Sequence, residues 1–546
     1  MTPREIADRH LDATARLSPL LSTQLGLPYG ADELDDLSPA GIDAQEALIR
    51  ATLAELDTVA DTDPVEHRCA TLLRERLTSE LDQIEHGEPL RAVRNLFSPV
   101  HSVREVFTMM PRETEQDWQH IRARLAAVAQ AYAGYTETLR EGMRRRLYAG
   151  PRQVATVVGQ LTAWLDDDYF HGLIGESPEL VGLTEAAASA SEACVQLRAF
   201  LRDTYAAAVV HEPDTVGRER YLRCARQWTG SEIDLDAAYA WAWEEFARID
   251  AEIRAEAHNV KAGATPAQAM ALLGEEGEAI DGVEEVRRHL QSMMDNVIAE
   301  LDGTHFDLAE PVKRVEAMIA PPGGAAAPYY TLPSMDFSRP GRTWLPTMGR
   351  TRFPLWNLVS TWYHEGVPGH HLQLAQWALV APQLSKYQTT IGMVSANVEG
   401  WALYAERLMD ELGYLRTPGE RIGYLDAQQM RAVRVIIDIG MHCGLAIPSD
   451  ADFHPGQTWT PELGRKFFGL HCGRDSDFAD SELIRYLGMP GQAISYKLGE
   501  RAWLQGRELA RAELGDRFDL KRWHMAALSM GSLGLDDLVS ALRACA

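Results

Sequence analysis

The stretch of residues 364–371, with the sequence His-Glu-Gly-Val-Pro-Gly-His-His, constrains this chain more than any other feature. It follows a run rich in apolar side chains over residues 355–362. A histidine followed directly by a glutamate, with further histidines close behind, is typical of two imidazole ligands plus a carboxylate that acts as general base. The usual second ligand one helical turn later is absent, because Pro368 occupies the position four residues after His364.

Neither later histidine can join His364 on one ion along an unbroken helix. His370 would point about 120° away from His364, and His371 would lie about 10 Å further along the axis. Zinc requires both ligand nitrogens within about 2.1 Å. We predict that the helix breaks, because Pro368 lacks an N–H and Gly369 permits a sharp turn. Either later histidine could then turn back toward the first; the alternative is a Pro-Gly turn between structural helices with incidental histidines.

A second motif, Glu-Gly-Trp-Ala-Leu-Tyr-Ala-Glu, lies at residues 399–406 beside an apolar helical stripe. Glu399 is expected to face inward, where a carboxylate needs a partner because a bare buried charge is costly. Metal coordination would provide that partner, so that His364, His370 and Glu399 hold one ion and leave a fourth position for water. Glu406 lies seven residues further on the same face, and is predicted to hydrogen-bond a ligand histidine or to pair with a basic side chain.

The two motifs resemble those of a large bacterial family that is catalogued as a domain of unknown function and predicted to contain zinc metallopeptidases. His-Glu-x-x-Pro-Gly-His-x-x-Gln and the downstream Glu-Gly-Trp motif carry the resemblance, which extends from about Leu37 to Leu533. The family is similar to the mostly helical gluzincin carboxypeptidases, so the resemblance implies a large helical body with a deep cleft. In the family pattern the histidine directly after Pro-Gly recurs, which favours His370 over His371, and Glu399 matches the downstream glutamate.

Length and composition predict one continuous body with subdomains. The chain has 546 residues, 46% of them apolar, and neither a linker nor an internal repeat is evident. We divide it into a helical N-terminal part, 1–304, and a metal-site part, 305–546. Six scattered cysteines without a Cys-x-x-Cys spacing are expected to be reduced thiols.

The charge balance bears on partners and location. A formal charge of −26, spread along the chain, argues against nucleic acid or an anionic membrane as partner. The first residues are polar and no run of about 18 apolar residues appears, so we expect a cytoplasmic protein without a membrane partner.

Hydrophobic periodicity predicts a mainly α fold with one β interruption. Apolar residues recur at helical spacing over 43–59, 65–86, 115–147, 153–165, 184–208, 235–260, 265–275 and 283–301. Residues 305–350 instead contain short β-like runs at 312–315, 327–332 and 342–345, with a turn at 322–324. We predict a small ribbon ahead of the metal-binding helix, with Tyr330 contacting substrate. Its open edge could pair with an extended peptide, or the segment could be an irregular connection that closes the cleft.

A polar stripe on an otherwise apolar helix completes the candidate site. Arg431, Arg434, Asp438 and His442 recur at three- and four-residue steps, which is typical of a face toward a cavity or a buried network. Asp438 would orient His442 or pair with Arg434. His442 and Tyr496 are candidate donors to a developing oxyanion, although Tyr496 is equally suited to a core position. The arginines could bind a substrate carboxylate.

The hypothesis from sequence is a zinc metallopeptidase with one Zn²⁺ per chain, which cleaves peptide or other amide bonds in short substrates. Glu365 would act as the general base. One alternative is a metal-dependent enzyme of specialised metabolism that acts on a non-peptide C–N or C–O bond. Another is a helical protein whose zinc is purely structural. The expected partner is a peptide or small amide, and a homodimer is left open.

Overall fold

The computed structural model of the chain describes residues 1–60, 63–175, 180–321 and 327–545. These residues form a mainly α fold, as the periodicity predicts. The α-helices, α1 to α23, span Pro3–Leu17, Pro19–Gln24, Pro39–Leu56, Pro64–Glu85, Pro99–Met109, Glu115–Arg144, Pro151–Asp166, Tyr169–Leu173, Leu183–Ala199, Ala206–Val209, Arg218–Thr229, Leu235–Val260, Pro266–Glu275, Val283–Leu301, Val359–Glu365, His370–Val380, Ser395–Glu411, Pro418–Cys443, Pro461–His471, Ser476–Gly488, Ser495–Leu514, Leu520–Leu528 and Leu535–Ala544.

Short strands lie between α13 and α15, where the sequence predicts the β interruption. The strands β1 to β5 span Ala279–Asp281, Val315–Ile319, Tyr329–Thr331, Gly341–Leu345 and Arg352–Pro354. β1 pairs with β5 in antiparallel fashion, and the other three form a sheet in the order β2-β4-β3. In that sheet β2 is parallel to β4 and β3 is antiparallel to it, so β3 is an edge strand. The segment is therefore a sheet rather than an irregular connection.

Sequence and structure agree closely on most helices and differ at the first ribbon strand. The predicted helices at 235–260 and 283–301 coincide with α12 and α14. The run at 312–315 was expected to be extended, but residues 310–313 form a turn in which the Val312 N–H donates to Ala309, and β2 begins only at Val315. The turn predicted at 322–324 lies outside the described residues.

The chain divides into two compact units, and the candidate site belongs to the second. The first unit comprises residues 1–62, 73–224 and 481–490, and the second comprises 63–72, 225–480 and 491–546. The predicted division at 304/305 falls inside the second unit. The first unit has an apolar core that includes α5, α6, α7 and α9. Within the described part of the chain, no helix has the length and apolarity needed to span a membrane.

Two glycines bring α17 and α21 into close contact in the second unit. A Cβ atom at Gly499 would lie 2.0 Å from the carbonyl oxygen of Ala396, and one at Gly400 would lie 2.4 Å from the carbonyl carbon of Gly499. Because backbone atoms occupy both places, a side chain at either position would force the helices apart. Glu399 precedes one glycine and Tyr496 lies one turn before the other, so this contact sets the spacing of two candidate site residues.

Gly499→Ala is expected to lower the free energy of unfolding by about 3 kcal/mol, because the added methyl group has no room against backbone. Urea denaturation of both proteins measures the difference. Gly469→Ala in α19 is the matched control, since a Cβ there meets no atom within 4 Å. That control should change stability by less than about 1 kcal/mol. Equal stability of the Gly499→Ala and control proteins would contradict the close contact.

Candidate metal centre

The helix that begins at Val359 breaks at the Pro-Gly pair, as the sequence predicts. α15 ends at Glu365 and α16 begins at His370. A Cβ atom at Gly369 would lie 1.9 Å from the carbonyl oxygen of His364, so this tight turn requires glycine. The indole N–H of Trp401 donates to the Pro368 and Gly369 carbonyl oxygens at 2.9 and 3.1 Å. The break is therefore held by a side chain from α17.

After this break, His364 and His370 face one oxygen of Glu399. The Nε2 atoms of the two histidines lie 3.4 and 3.5 Å from Oε2 of Glu399, and the two imidazole centroids are 4.7 Å apart. Ligand atoms on tetrahedral zinc, with bonds of about 2.0–2.1 Å, lie about 3.3–3.4 Å from one another. The three side chains therefore have the spacing of a ligand set.

The polar atoms at this point are incompletely satisfied by protein. Oε2 of Glu399 is buried and has no hydrogen-bond partner among the described residues. A separation of 3.4–3.5 Å is long for an N–H···O hydrogen bond, which is typically 2.7–3.2 Å. A buried carboxylate oxygen between two imidazole nitrogens fits a bound cation. The donor set of two nitrogens and one carboxylate oxygen suits zinc.

His364 is oriented from behind by Glu406. Its Nδ1 atom lies 2.8 Å from Oε1 of Glu406, and the Ser360 hydroxyl donates to the other oxygen of that carboxylate. Because a carboxylate only accepts, Nδ1 of His364 carries the proton in this hydrogen bond. Nε2 is thereby left to face Glu399. This contact is the one predicted for Glu406, which is only 1% exposed.

His371 has both ring nitrogens engaged elsewhere. Its Nε2 atom donates to the Val312 carbonyl at 2.7 Å, and its Nδ1 atom accepts from the Tyr330 hydroxyl at 3.0 Å. Burial lowers the pKa of His371 to about 4, so the ring is neutral. A ring with both nitrogens hydrogen-bonded cannot coordinate a metal. Of the two histidines left open by the sequence, His370 is the one placed beside His364.

The charges in the site reinforce one another. Burial disfavours ionisation of Glu399, but the His364 and His370 imidazoles outweigh it and hold the Glu399 pKa well below its ordinary value. Burial also opposes a charge on His364, yet Glu399 and Glu406 raise the pKa of His364 to about 9. Burial raises the pKa of Glu365 above its ordinary value. The centre therefore stabilises a positive charge between Glu399 and the imidazoles.

The candidate metal centre opens into a cavity of about 710 Å³. His364, Glu365, His370 and Glu399 all contribute to its wall. The ligand-capable atoms of His364, Glu365 and His370 lie within 4.8 Å of one another. Glu365 therefore lies beside the two imidazoles, within reach of an ion or a water held between them.

The remaining predicted residues divide between the cavity wall and the protein interior. Tyr330, Arg431, Arg434 and Tyr496 line the cavity. The hydroxyl of Tyr330 donates its hydrogen to His371, so Tyr330 can offer a substrate its ring and an acceptor oxygen but no hydrogen-bond donor.

Asp438 and His442 lie away from the cavity wall, inside the packing of α18. Both side chains are fully buried, 3.7 Å apart, and Oδ2 of Asp438 accepts from the Gly491 backbone N–H at 2.9 Å. Side chains four residues apart on a helix differ in direction by about 40°. His442 lies two such steps after Arg434, so it points about 80° away from Arg434 and lies about 12 Å further along the axis. This placement does not support the predicted contact of His442 with an oxyanion.

Sequence reasoning missed several residues that shape the site. Arg350, Arg352 and Arg474 also line the cavity. Arg350 and Arg352 belong to one segment, and no short-range pattern links that segment to Arg474. Trp401 has no role in the sequence prediction, although its position inside the second motif is a usable signal. Its indole N–H reaches the broken turn, which no local pattern predicts.

Comparisons with known proteins place the chain in a family. Residues 19–542 match the family described as "Bacterial protein of unknown function (DUF885)". The chain belongs to this family. The family description assigns no activity, and the comparison with curated proteins returned no match.

Two solved structures share the fold over the whole chain. One is that of a candidate lipoprotein from Colwellia psychrerythraea, with a TM-score of 0.81 and 22% identity, which covers 100% of this chain and 99% of the other. The second, a candidate lipoprotein of unknown function from Shewanella oneidensis, has a TM-score of 0.77 and 17% identity, with 99% of both chains covered. At these identities the likeness concerns the fold alone. The cytoplasmic location expected from the sequence stays a prediction.

Proposed function

We propose that this DUF885 protein is a zinc-dependent hydrolase that cleaves peptide or other amide bonds in short substrates. The observation that carries the proposal is the geometry of Glu399, whose buried Oε2 atom lies 3.4 and 3.5 Å from two imidazole Nε2 atoms without another partner among the described residues. His364, His370 and Glu399 would hold one zinc ion per chain. When bound, zinc lowers the pKa of a coordinated water to about 7 and polarises a carbonyl.

Glu365 is placed to move the proton. Its side chain is 9% exposed and lies on the cavity wall beside the two ligand histidines. A carboxylate there accepts a proton from the attacking water and passes it to the nitrogen of the leaving amine. Burial raises the pKa of Glu365, which brings it closer to the range in which one group can both accept and donate.

Tyr496 is the remaining candidate for contact with the developing oxyanion. It lines the cavity from α21, whereas His442 does not. Its hydroxyl would donate a hydrogen bond to the carbonyl oxygen as negative charge grows. The volume of about 710 Å³ is within the range of roughly 300–1,000 Å³ for small-molecule sites, which favours short substrates over folded proteins.

The purified protein is expected to contain one zinc ion per chain and to hydrolyse short peptides, with loss of hydrolysis on chelation and recovery on addition of zinc. Elemental analysis gives the metal content, and mass spectrometry of a dipeptide and tripeptide library gives the products. A protein that takes up no zinc from an equimolar solution would overturn the proposal. Full metal content with cleavage confined to non-peptide C–N or C–O bonds would instead favour the metabolic alternative. A saturated, inert site would favour structural zinc.

A further inference from the structure

Arg431 presents a guanidinium group to the cavity, and the described residues supply no carboxylate within ion-pair distance of it. Its Nε atom is buried without a hydrogen-bond partner among those residues. Its Nη1 atom donates only to the Ala427 carbonyl of its own helix, at 3.2 Å. A partly buried cation without an anion is costly, so an anionic group bound there would be stabilised.

Arg434 and Tyr496 hold the position of this cation. The guanidinium carbons of Arg431 and Arg434 lie 5.8 and 4.9 Å from the centroid of the Tyr496 ring. Each distance is within the range of a cation–π contact, about 6 Å. Both guanidinium groups therefore contact the same aromatic ring. The charge of Arg431 favours an anion at this part of the wall, although the whole chain has a formal charge of −26.

The carboxylates of the same wall are committed to other contacts. Glu365 and Glu399 belong to the metal centre, and Oδ1 of Asp475 accepts from the Phe478 backbone N–H at 2.8 Å. Of the arginines on this wall, Arg474 pairs with Asp426 at 2.5 Å and Arg352 lies 3.8 Å from Asp281, whereas Arg431 forms no ion pair with the described residues. Arg431 therefore offers its guanidinium to the carboxylate end of a peptide.

We infer, on the basis of the proposed function, that Arg431 binds the free C-terminal carboxylate of a short peptide substrate, with Arg434 beside it. The planar guanidinium matches a carboxylate with two parallel hydrogen bonds. Because Arg431 and Glu365 line the same small cavity, the bond presented to the metal centre lies close to that end of the peptide. The protein accordingly removes residues from the carboxyl end and rejects internal bonds of long chains.

Binding can be measured without turnover in the full-length Glu365→Gln protein. The probes are N-acetyl dipeptides that end in Gly, Leu, Phe, Glu or Lys, each as the free acid and as the C-terminal amide, titrated by calorimetry. We expect the free acid to bind roughly 10- to 100-fold more tightly than its amide for at least one pair, the usual effect of a hydrogen bond to a charged group. Adding Arg431→Gln should abolish this preference and leave amide binding unchanged.

Arg350→Gln in the same background is the matched control, because it removes an exposed arginine from the same wall. It should keep the preference for the free acid. A panel in which no free acid binds more tightly than its amide would overturn the inference, as would equal losses in the Arg431→Gln and Arg350→Gln proteins. Hydrolysis by the wild-type protein is scored separately. Cleavage of acids and amides alike would support the proposed function and refute the inference about Arg431. Selective binding of the free acids without any hydrolysis would support that inference and refute the proposed function.

Discussion

The His370→Ala protein is expected to lose its zinc, whereas the His371→Ala protein should retain it. His370 presents Nε2 at 3.5 Å from Glu399, while both nitrogens of His371 are hydrogen-bonded to Val312 and Tyr330. Removal of a direct ligand should weaken zinc binding by more than about 100-fold, the upper end of the effect of losing a supporting contact. Competition with a chromogenic chelator measures both affinities.

The His371→Ala protein should instead lose stability. Its buried partners, the Val312 carbonyl and the Tyr330 hydroxyl, would each lack a hydrogen bond, at a cost of about 1–3 kcal/mol. The two variants therefore change neighbouring residues with different effects. His370→Ala should lower the metal content, and His371→Ala should lower the melting temperature. Zinc lost from the His371→Ala protein but kept by His370→Ala would reverse the ligand assignment.

The Glu365→Gln protein is expected to bind zinc normally and to turn over substrate about 100- to 10,000-fold more slowly, the usual contribution of a general base. Glutamine has nearly the same size, so the largely buried position should keep its packing. Its amide cannot accept the proton of the attacking water. Elemental analysis together with steady-state kinetics on one substrate tests both parts of the expectation.

Asp475→Asn is the matched control for this charge removal. Asp475 lies on the same cavity wall and accepts from the Phe478 N–H, a role that asparagine also performs at a helix start. Its turnover should remain within a few-fold of wild type. Rates reduced alike in both variants would show that cavity charge, and not proton transfer by Glu365, accounts for the loss.

Local features of the chain were enough to predict the elements that carry the site. Helical periodicity gave the bounds of α12 and α14 because it depends on neighbours three and four residues apart. The break after Glu365 follows from Pro368 and Gly369, whose backbone limits act within one turn. Pairing of His364 with Glu406 was also predictable, since spacing along α17 places that glutamate on the same face as Glu399.

Tertiary structure decided which of the eligible side chains face one another. The choice between His370 and His371 depends on Val312 and Tyr330, which lie 59 and 41 residues away in sequence. Spacing alone likewise suggested that His442 belongs with Arg434, but packing around α18 leaves Arg434 on the cavity wall and His442 away from it.

The sequence by itself determined the helices, the broken turn and the residue types of the proposed metal site. It did not determine the arginines of the cavity wall, because the segment that contains Arg350 and Arg352 approaches Arg431 and Arg474 only after folding. Periodicity and spacing report interactions within about two turns of helix, whereas a cavity is formed by elements that are distant in the chain. The local pattern thus specifies the candidate ligand types, and the packing of distant elements decides which of them face one another and what surrounds them.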